Sequence, residues 1–326
     1  MLHFLYRGFQ KNTHRRLRYC RGMPANAMCS YTHLLEKSRY PYGTYIFMDR
    51  ERMDPWEIRL YAGLYQHINQ AGPGYRVLND PACMMGRYEL LRTLHAKGFN
   101  DFNVYLVSER RLPARYPVFI RHVFDHDYVL TDLLHDQAEL DTALESLHAQ
   151  HEPDEGLMII EYCAEPVAGT LFRKLSGFRI GNNVFFHHTM HEHNWQVKYG
   201  EINSATQALY EEEYEMIRDN KFEKELRQVF ELAKIDYGRV DFGLVNGKIQ
   251  VYEINTNPTV IPPRNKHPNP TRNHSMKLAW SRYVNAMLAI DDTDDLHSSL
   301  LRGFRDPALL ARSGLRARHA SQVWRK

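Results

Sequence analysis

The chain has 326 residues, 43% apolar and 25% charged, with 42 Lys and Arg against 39 Asp and Glu. This length buries a substantial core, and the composition is that of an ordinary globular protein, which excludes disordered and fibrous classes. A net charge of +3 gives no global argument for nucleic-acid binding, no apolar run is long enough to span a bilayer, and Cys20, Cys29, Cys83 and Cys163 form no CxxC pattern.

Free thiols in a reducing compartment and a cytoplasmic location are therefore expected, with no membrane partner. The basicity is local. Residues 1–42 carry Arg7, Lys11, Arg15, Arg16, Arg18 and Arg21 and show little periodicity, so they are expected to form a basic N-terminal arm; a transit peptide is the lesser alternative. Residues 291–326 form a second basic segment, expected to be a peripheral tail.

Between these segments the elements follow one another clearly. Thr44–Met48 is a strand of β formers, and a helix starts at Asp54-Pro55 with an apolar face from Ile58 to Ile68. A strand at Tyr75–Leu78, a helix over Met84–Lys97 and a strand at Asn103–Val107 complete a small parallel α/β unit over 43–115. Strand ends there carry Asp49, Arg50, Asn79 and Asp80, where α/β sheets place ligands, although turn chemistry explains Asn79-Asp80-Pro81 as well. Tyr116–Arg121 opens a second unit expected to run over 116–290, followed by a helix over Asp136–Ala149 and a strand over Leu157–Cys163. Two long strands turn at Gly181-Asn182-Asn183, with Arg173, Lys174 and Arg179 on a basic face that suits either phosphates or a solvated edge. His187, His188, His191 and His193 have spacing that suits a loop better than a tetrahedral metal site. Helices follow over Thr206–Arg218, Lys221–Lys234 and Asn273–Ile290.

The most informative stretch is Gly238–Val260. Apolar and polar residues alternate on both sides of Asn246-Gly247, which marks a β-hairpin. Glu253 and Asn255 share a face. A two-residue loop sends Asp241 to the opposite face, whereas a three-residue loop with Gly247 in a G1 bulge brings Asp241 to join them. The odd loop is expected, because two carboxylates and an amide oxygen on one stiff face suit Mg²⁺; an exposed, solvated acidic face is the alternative.

Arg-x-Asp, a hairpin and Glu-x-Asn-Thr-x-Pro together resemble the metal-binding end of the ATP-grasp ligases, a group that includes D-alanine:D-alanine ligase, glutathione synthetase and the ribosomal-protein glutamate ligases. The resemblance implies an α/β (α+β) fold: an ATP-grasp core preceded by a small parallel α/β domain that helps hold the acceptor. It implies ATP and Mg²⁺ as cofactors and metal ligation by Asp241, Glu253 and Asn255. Arg239 would stabilise an oxyanion. Arg121 would take the place of a phosphate-binding lysine, Glu161, Tyr162 and Cys163 would form the adenine hinge, Glu165 would lie near the ribose, and Lys198 would reach a phosphate from a covering loop. The chain departs from the family after Arg121, where His122–Tyr128 contains no glycine. The expected activity is an ATP-dependent ligase that joins a small-molecule or peptide carboxylate to a nucleophilic acceptor through an acyl phosphate. A kinase on the same fold and an inactive nucleotide-binding protein are the alternatives.

Overall fold

The computed structural model describes residues 1–8, 14, 16–124, 129–260, 262–263, 267–291 and 300–312. Four strands, β1 (Leu2–Tyr6), β2 (Asn26–Ser30), β4 (Gly43–Phe47) and β5 (Tyr75–Leu78), form a parallel sheet in the order β2-β1-β4-β5. The start of the chain is thus an interior strand and not an arm. Leu2, Phe4 and Leu5 are fully buried, and burial of each large apolar side chain contributes about 1.5–3 kcal/mol. A strand covered on both faces shows no alternation, which is why its pattern is silent. Lys11 and Arg15 lie outside the described residues, as do residues 292–299 and 313–326 of the expected C-terminal tail.

One face of this sheet is covered by α2 (Pro55–Asn69), through Leu60, Tyr61, Leu64 and Ile68 against Leu5, Tyr45 and Phe47. The helix begins where its sequence suggests. Pro55 sits in the first turn, and the Glu57 carboxylate accepts the Asp54 N–H at 2.9 Å. The other face shares a core with Phe178, Ile180, Tyr237, Tyr283 and Met287 from the second half of the chain. Asn79 staples the two halves. Its amide donates to the carbonyls of Phe47 (3.0 Å) and Tyr237 (2.8 Å) and accepts the N–H groups of Asp236 and Tyr237, both at 2.8 Å. That side chain is fully buried and fully bonded, so it offers nothing to an acceptor.

The expected third parallel strand belongs elsewhere. β6 (Val104–Leu106) pairs antiparallel with β8 (Leu157–Glu161), which also pairs antiparallel with β7 (Val118–His122), giving the order β6-β8-β7. Helix α4 (Gln137–Ala149) covers this sheet through Leu140 and Leu147, and the Asp136 side chain caps it by accepting the Glu139 N–H.

A larger antiparallel sheet has the order β11-β10-β12-β13, from β10 (Leu171–Ile180), β11 (Asn183–Glu192), β12 (Tyr237–Val245) and β13 (Lys248–Asn255), with β9 (Pro166–Ala168) pairing β10. Helices α5 (Gln207–Arg218), α6 (Glu223–Ala233) and α7 (Pro270–Leu288) pack on β10 and β11, and α3 (Arg87–Ala96) packs on β13. The remaining short elements are α1 (Tyr31–Glu36), α8 (Pro307–Arg312) and the pair β3 (Arg39–Tyr40) with β14 (Leu301–Arg302). No helix among the described residues is long and apolar enough to cross a membrane.

Candidate active site

The hairpin β12–β13 turns in two residues, not three. Val245 pairs with Lys248, and Asn246 (φ 50°) and Gly247 (φ 74°) both take the left-handed conformation that such a loop requires. On that register Asp241 would lie opposite Tyr252, and Glu253 would face the core. A bulge in the strands corrects this. Phe242 pairs with Val251 but Asp241 pairs with Glu253, so Tyr252 is the extra residue. Arg239, Asp241, Glu253 and Asn255 consequently share one face, while Val240, Phe242, Val251 and Ile254 share the buried one. The acids converge as expected, by a different device.

The same row continues across the sheet. Asp241 pairs with Ser176, and Ser176 pairs with His188. Asp241 is 1% exposed and is held by protein donors: Arg239 Nε at 2.8 Å and Nη2 at 3.0 Å, Ser176 Oγ at 2.8 Å, and the Lys174 ammonium at 3.6 Å. Burial pulls the Arg239 guanidinium down, but the facing Asp241 carboxylate more than offsets this and holds it above its ordinary value. Arg239 Nη1 also reaches the Thr259 carbonyl at 3.5 Å. Across the row, Glu253 pairs with the buried Arg87 guanidinium and accepts from Asn255 Nδ2 at 3.1 Å. Arg87 comes from the first turn of α3 and also donates to the Val123 carbonyl at the end of β7 (3.4 Å).

Asp241 and Glu253 line a cavity of about 190 Å³. Its lining also includes the apolar Leu91, Phe102, Phe119, Ile160 and Trp195 and the cations Arg121, Arg173, Lys174 and Lys198. Trp195 packs on Phe119 (ring centroids 4.9 Å apart) and edge-on to Tyr162 (5.6 Å). Lys198 belongs to a loop whose N–H groups at 198, 199 and 200 all donate to the Glu192 carboxylate, at 2.9, 2.5 and 2.6 Å.

Glu161, Tyr162 and Cys163 line the cavity at the end of β8. The Glu161 and Tyr162 N–H groups donate to the carbonyls of Asn103 and Pro117, and the Cys163 carbonyl accepts from Tyr252 Oη at 3.0 Å. The Tyr162 carbonyl and the Cys163 N–H make no hydrogen bond among the described residues, which is the pair an adenine edge would need. The Glu161 side chain holds the neighbouring backbone together, since its carboxylate accepts from Tyr105 Oη, Asn103 N–H and Ala114 N–H at 2.9, 2.9 and 3.0 Å. Glu165 does not reach the cavity. It is exposed and accepts the Asn246 N–H at the hairpin turn, 3.0 Å away. Arg239 and Asn255 lie beside the cavity rather than in its lining.

The histidines differ from the sequence expectation. His187, His188 and His191 lie on β11 and not in a loop, because the strand runs on through Glu192. A second bulge, at Ser176/Gly177, leaves His187 unpaired, and His187 Nδ1 lies 2.7 Å from His188 Nδ1. Burial, reinforced by the Arg239 and Arg272 charges, pushes His187 down to about 3, and His188 falls well below its ordinary value for the same reasons with His187 added. Among the described residues no cluster of three or more His, Cys, Asp and Glu side chains could hold a metal. Asp241 and Glu253 nevertheless fit Mg²⁺ by donor chemistry: they are hard oxygens on adjacent strands, beside the Asn255 amide, facing a cation-lined cavity, and substrate oxygens and waters would have to complete the shell.

Arg87 escapes a sequence reading because nothing in its helix marks a partner 166 residues away. Trp195 is visible there only as part of a covering loop. The glycine-free segment after β7 lies partly outside the described residues.

No family model and no curated protein matches the sequence. Solved structures do. The D-alanine–D-alanine ligase from Bacillus anthracis is 12% identical with a TM-score of 0.51, covering 89% of this chain and 96% of that one. The same protein complexed with ATP is 11% identical with a TM-score of 0.50, covering 89% and 97%. The D-alanine–D-alanine ligase from Coxiella burnetii is 12% identical with a TM-score of 0.51, covering 98% and 99%. The chain has the fold of these ligases, the ATP-grasp fold; identity this low shows the fold alone.

Proposed function

We propose that this ATP-grasp chain is an ATP-dependent ligase that joins a carboxylate to an amine or a similar nucleophile through an acyl phosphate. One observation carries the reading. A single cavity is lined by an apolar hinge with an open backbone donor and acceptor, by four cations, and by two carboxylates brought together by a bulge. That set of chemistries suits adenine, phosphates and metal respectively.

Arg121, Lys174 and Lys198 would offset the charge of the polyphosphate, and Trp195 with Phe119 would exclude water from the base. Asp241, Glu253 and Asn255 would hold Mg²⁺, which supplies Lewis-acid neutralisation of the phosphate oxygens when bound. A substrate carboxylate oxygen attacks the γ-phosphorus, and ADP leaves. The nucleophile's nitrogen then attacks the acyl carbon, inorganic phosphate leaves, and the amine proton passes to solvent. Arg239 has Nε and Nη2 committed to Asp241 and Nη1 near Thr259, so we assign it a positioning role on Asp241 ahead of direct contact with an oxyanion.

The test is a screen of carboxylates and amines with Mg²⁺ and ATP, scored by ADP release and by mass spectrometry of products. Amide product with equal amounts of ADP and free phosphate supports the ligase; ADP with a stable phosphorylated product and no free phosphate indicates a kinase. A second reading has its own observation, since protein cations already accompany both acids. A nucleotide-binding protein without turnover would bind ATP by calorimetry and release no ADP with any substrate pair.

A further inference from the structure

Tyr252 does something that neither the hinge nor the metal ligands explain. As the extra residue of the β12–β13 bulge it shifts the register by one, which alone brings Glu253 to the face of Asp241. Its ring lies over Gly243 on the neighbouring strand. A Cβ at Gly243 would meet the ring at 2.9 Å from Cζ and 3.1 Å from Cε2, and would be closer still to the hydroxyl. The φ of Gly243 is not left-handed, so the glycine there serves space and not backbone conformation.

The ring is held where it lies. Its hydroxyl donates to the Cys163 carbonyl at 3.0 Å, and its face packs near Phe102, with ring centroids 6.2 Å apart. On the opposite edge of β13, Asn100 fixes the adjacent residue: its amide accepts the Val251 N–H at 2.8 Å and donates to the Val251 carbonyl at 2.9 Å. The bulge is therefore clamped from both sides, and one of the clamps ends on the hinge.

We propose that Tyr252 is a positioning residue that couples the hinge at Cys163 to the carboxylate pair. Its place in the bulge aligns Asp241 with Glu253, and its hydroxyl ties that alignment to the Cys163 carbonyl. Nucleotide seated at the hinge then stiffens the carboxylate pair, and metal on the carboxylates stiffens the hinge. The proposal rests on the reading that the cavity takes a nucleotide with a divalent metal at Asp241 and Glu253.

The experiment measures Mn²⁺ binding to the full chain by electron paramagnetic resonance, with and without saturating ATP, and ATP binding in EDTA by calorimetry. In Tyr252→Phe the factor by which ATP tightens Mn²⁺ should fall about fivefold or more, with metal-free ATP affinity nearly unchanged. Gly243→Ala should weaken Mn²⁺ about tenfold, and Gly243→Ala with Tyr252→Ala should recover part of the loss because the clash is gone. Unchanged coupling in Tyr252→Phe overturns the proposal, and so does a folded Gly243→Ala that binds Mn²⁺ like the unaltered chain. If Gly243→Ala does not fold, Tyr252→Phe decides by itself. Glu253→Gln separates the coupling from the metal site it depends on. If it leaves Mn²⁺ binding intact, the metal reading falls and takes the coupling with it; if it weakens Mn²⁺ while Tyr252→Phe changes nothing, the coupling alone is wrong.

Discussion

Two bulged hairpins lie side by side in the larger sheet, and they use the same device for opposite purposes. In β12–β13 the bulge brings Asp241 and Glu253 together beside a cavity, where cations surround them. In β10–β11 the bulge brings His187 and His188 together, away from the cavity lining, where burial and the neighbouring Arg239 and Arg272 keep both neutral. Glu253, Asp241, Ser176 and His188 form one row, so a single strand, β10, separates a charged pair from an uncharged one. A bulge concentrates side chains; the solvent and charge around them decide whether the result is a site or a packed core.

Variants along this row would break the comparison with effects of different size. Glu253→Gln should have the largest, lowering Mg²⁺-dependent ADP release on the order of 10³-fold while the fold persists. Arg87→Met removes the buried cation that closes on Glu253 and competes with a metal for it, so metal affinity should rise several-fold while the melting temperature of the metal-free chain falls, because Glu253 loses that partner. Ser176→Ala, at the boundary between the two pairs, removes the 2.8 Å hydrogen bond to Asp241 and should cost about 1.5–3 kcal/mol in denaturant unfolding.

The histidine pair should give the smallest effect and the most specific one. Both groups are depressed below their ordinary value of 6.5 in the folded chain. Below that pH the unfolded chain takes up protons that the folded chain refuses, so stability is full above 6.5 and falls as pH drops from there toward about 3. Melting temperature should therefore decline between pH 7 and 5, and less steeply in His188→Gln. A His188→Gln profile parallel to that of the unaltered chain would show that the pair is not neutral and buried as described.

Much of this arrangement is legible in the sequence. Alternation around Asn246-Gly247 locates the hairpin and both carboxylates, and the demand for hard oxygens on one face requires a register shift somewhere. Period-two patterning cannot say where the extra residue sits, because a three-residue loop and a bulge at Tyr252 move the same side chains to the same face. The N-terminal strand is invisible for a related reason: Leu2–Tyr6 is buried on both sides and so lacks alternation. Polar residues mislead in proportion to their burial. His187 and His188 suggest a loop, and Asn79 a ligand contact, yet one pair is neutral inside a sheet and the other side chain staples two sheets. Trp195 joins the cavity, and Arg87 reaches Glu253 in its lining, through tertiary contacts that no local spacing encodes.

The central claim is that Asp241 and Glu253 share one divalent metal against a nucleotide in this cavity. A crystal structure of the chain with Mg²⁺ and a non-hydrolysable ATP analogue tests it directly. The predicted result is adenine at Tyr162 and Cys163, phosphates among Arg121, Lys174 and Lys198, and metal density between the two carboxylates, with Arg87 moved from Glu253 toward phosphate. Nucleotide bound with both carboxylates still closed on Arg87 and Arg239, and no metal between them, would contradict it.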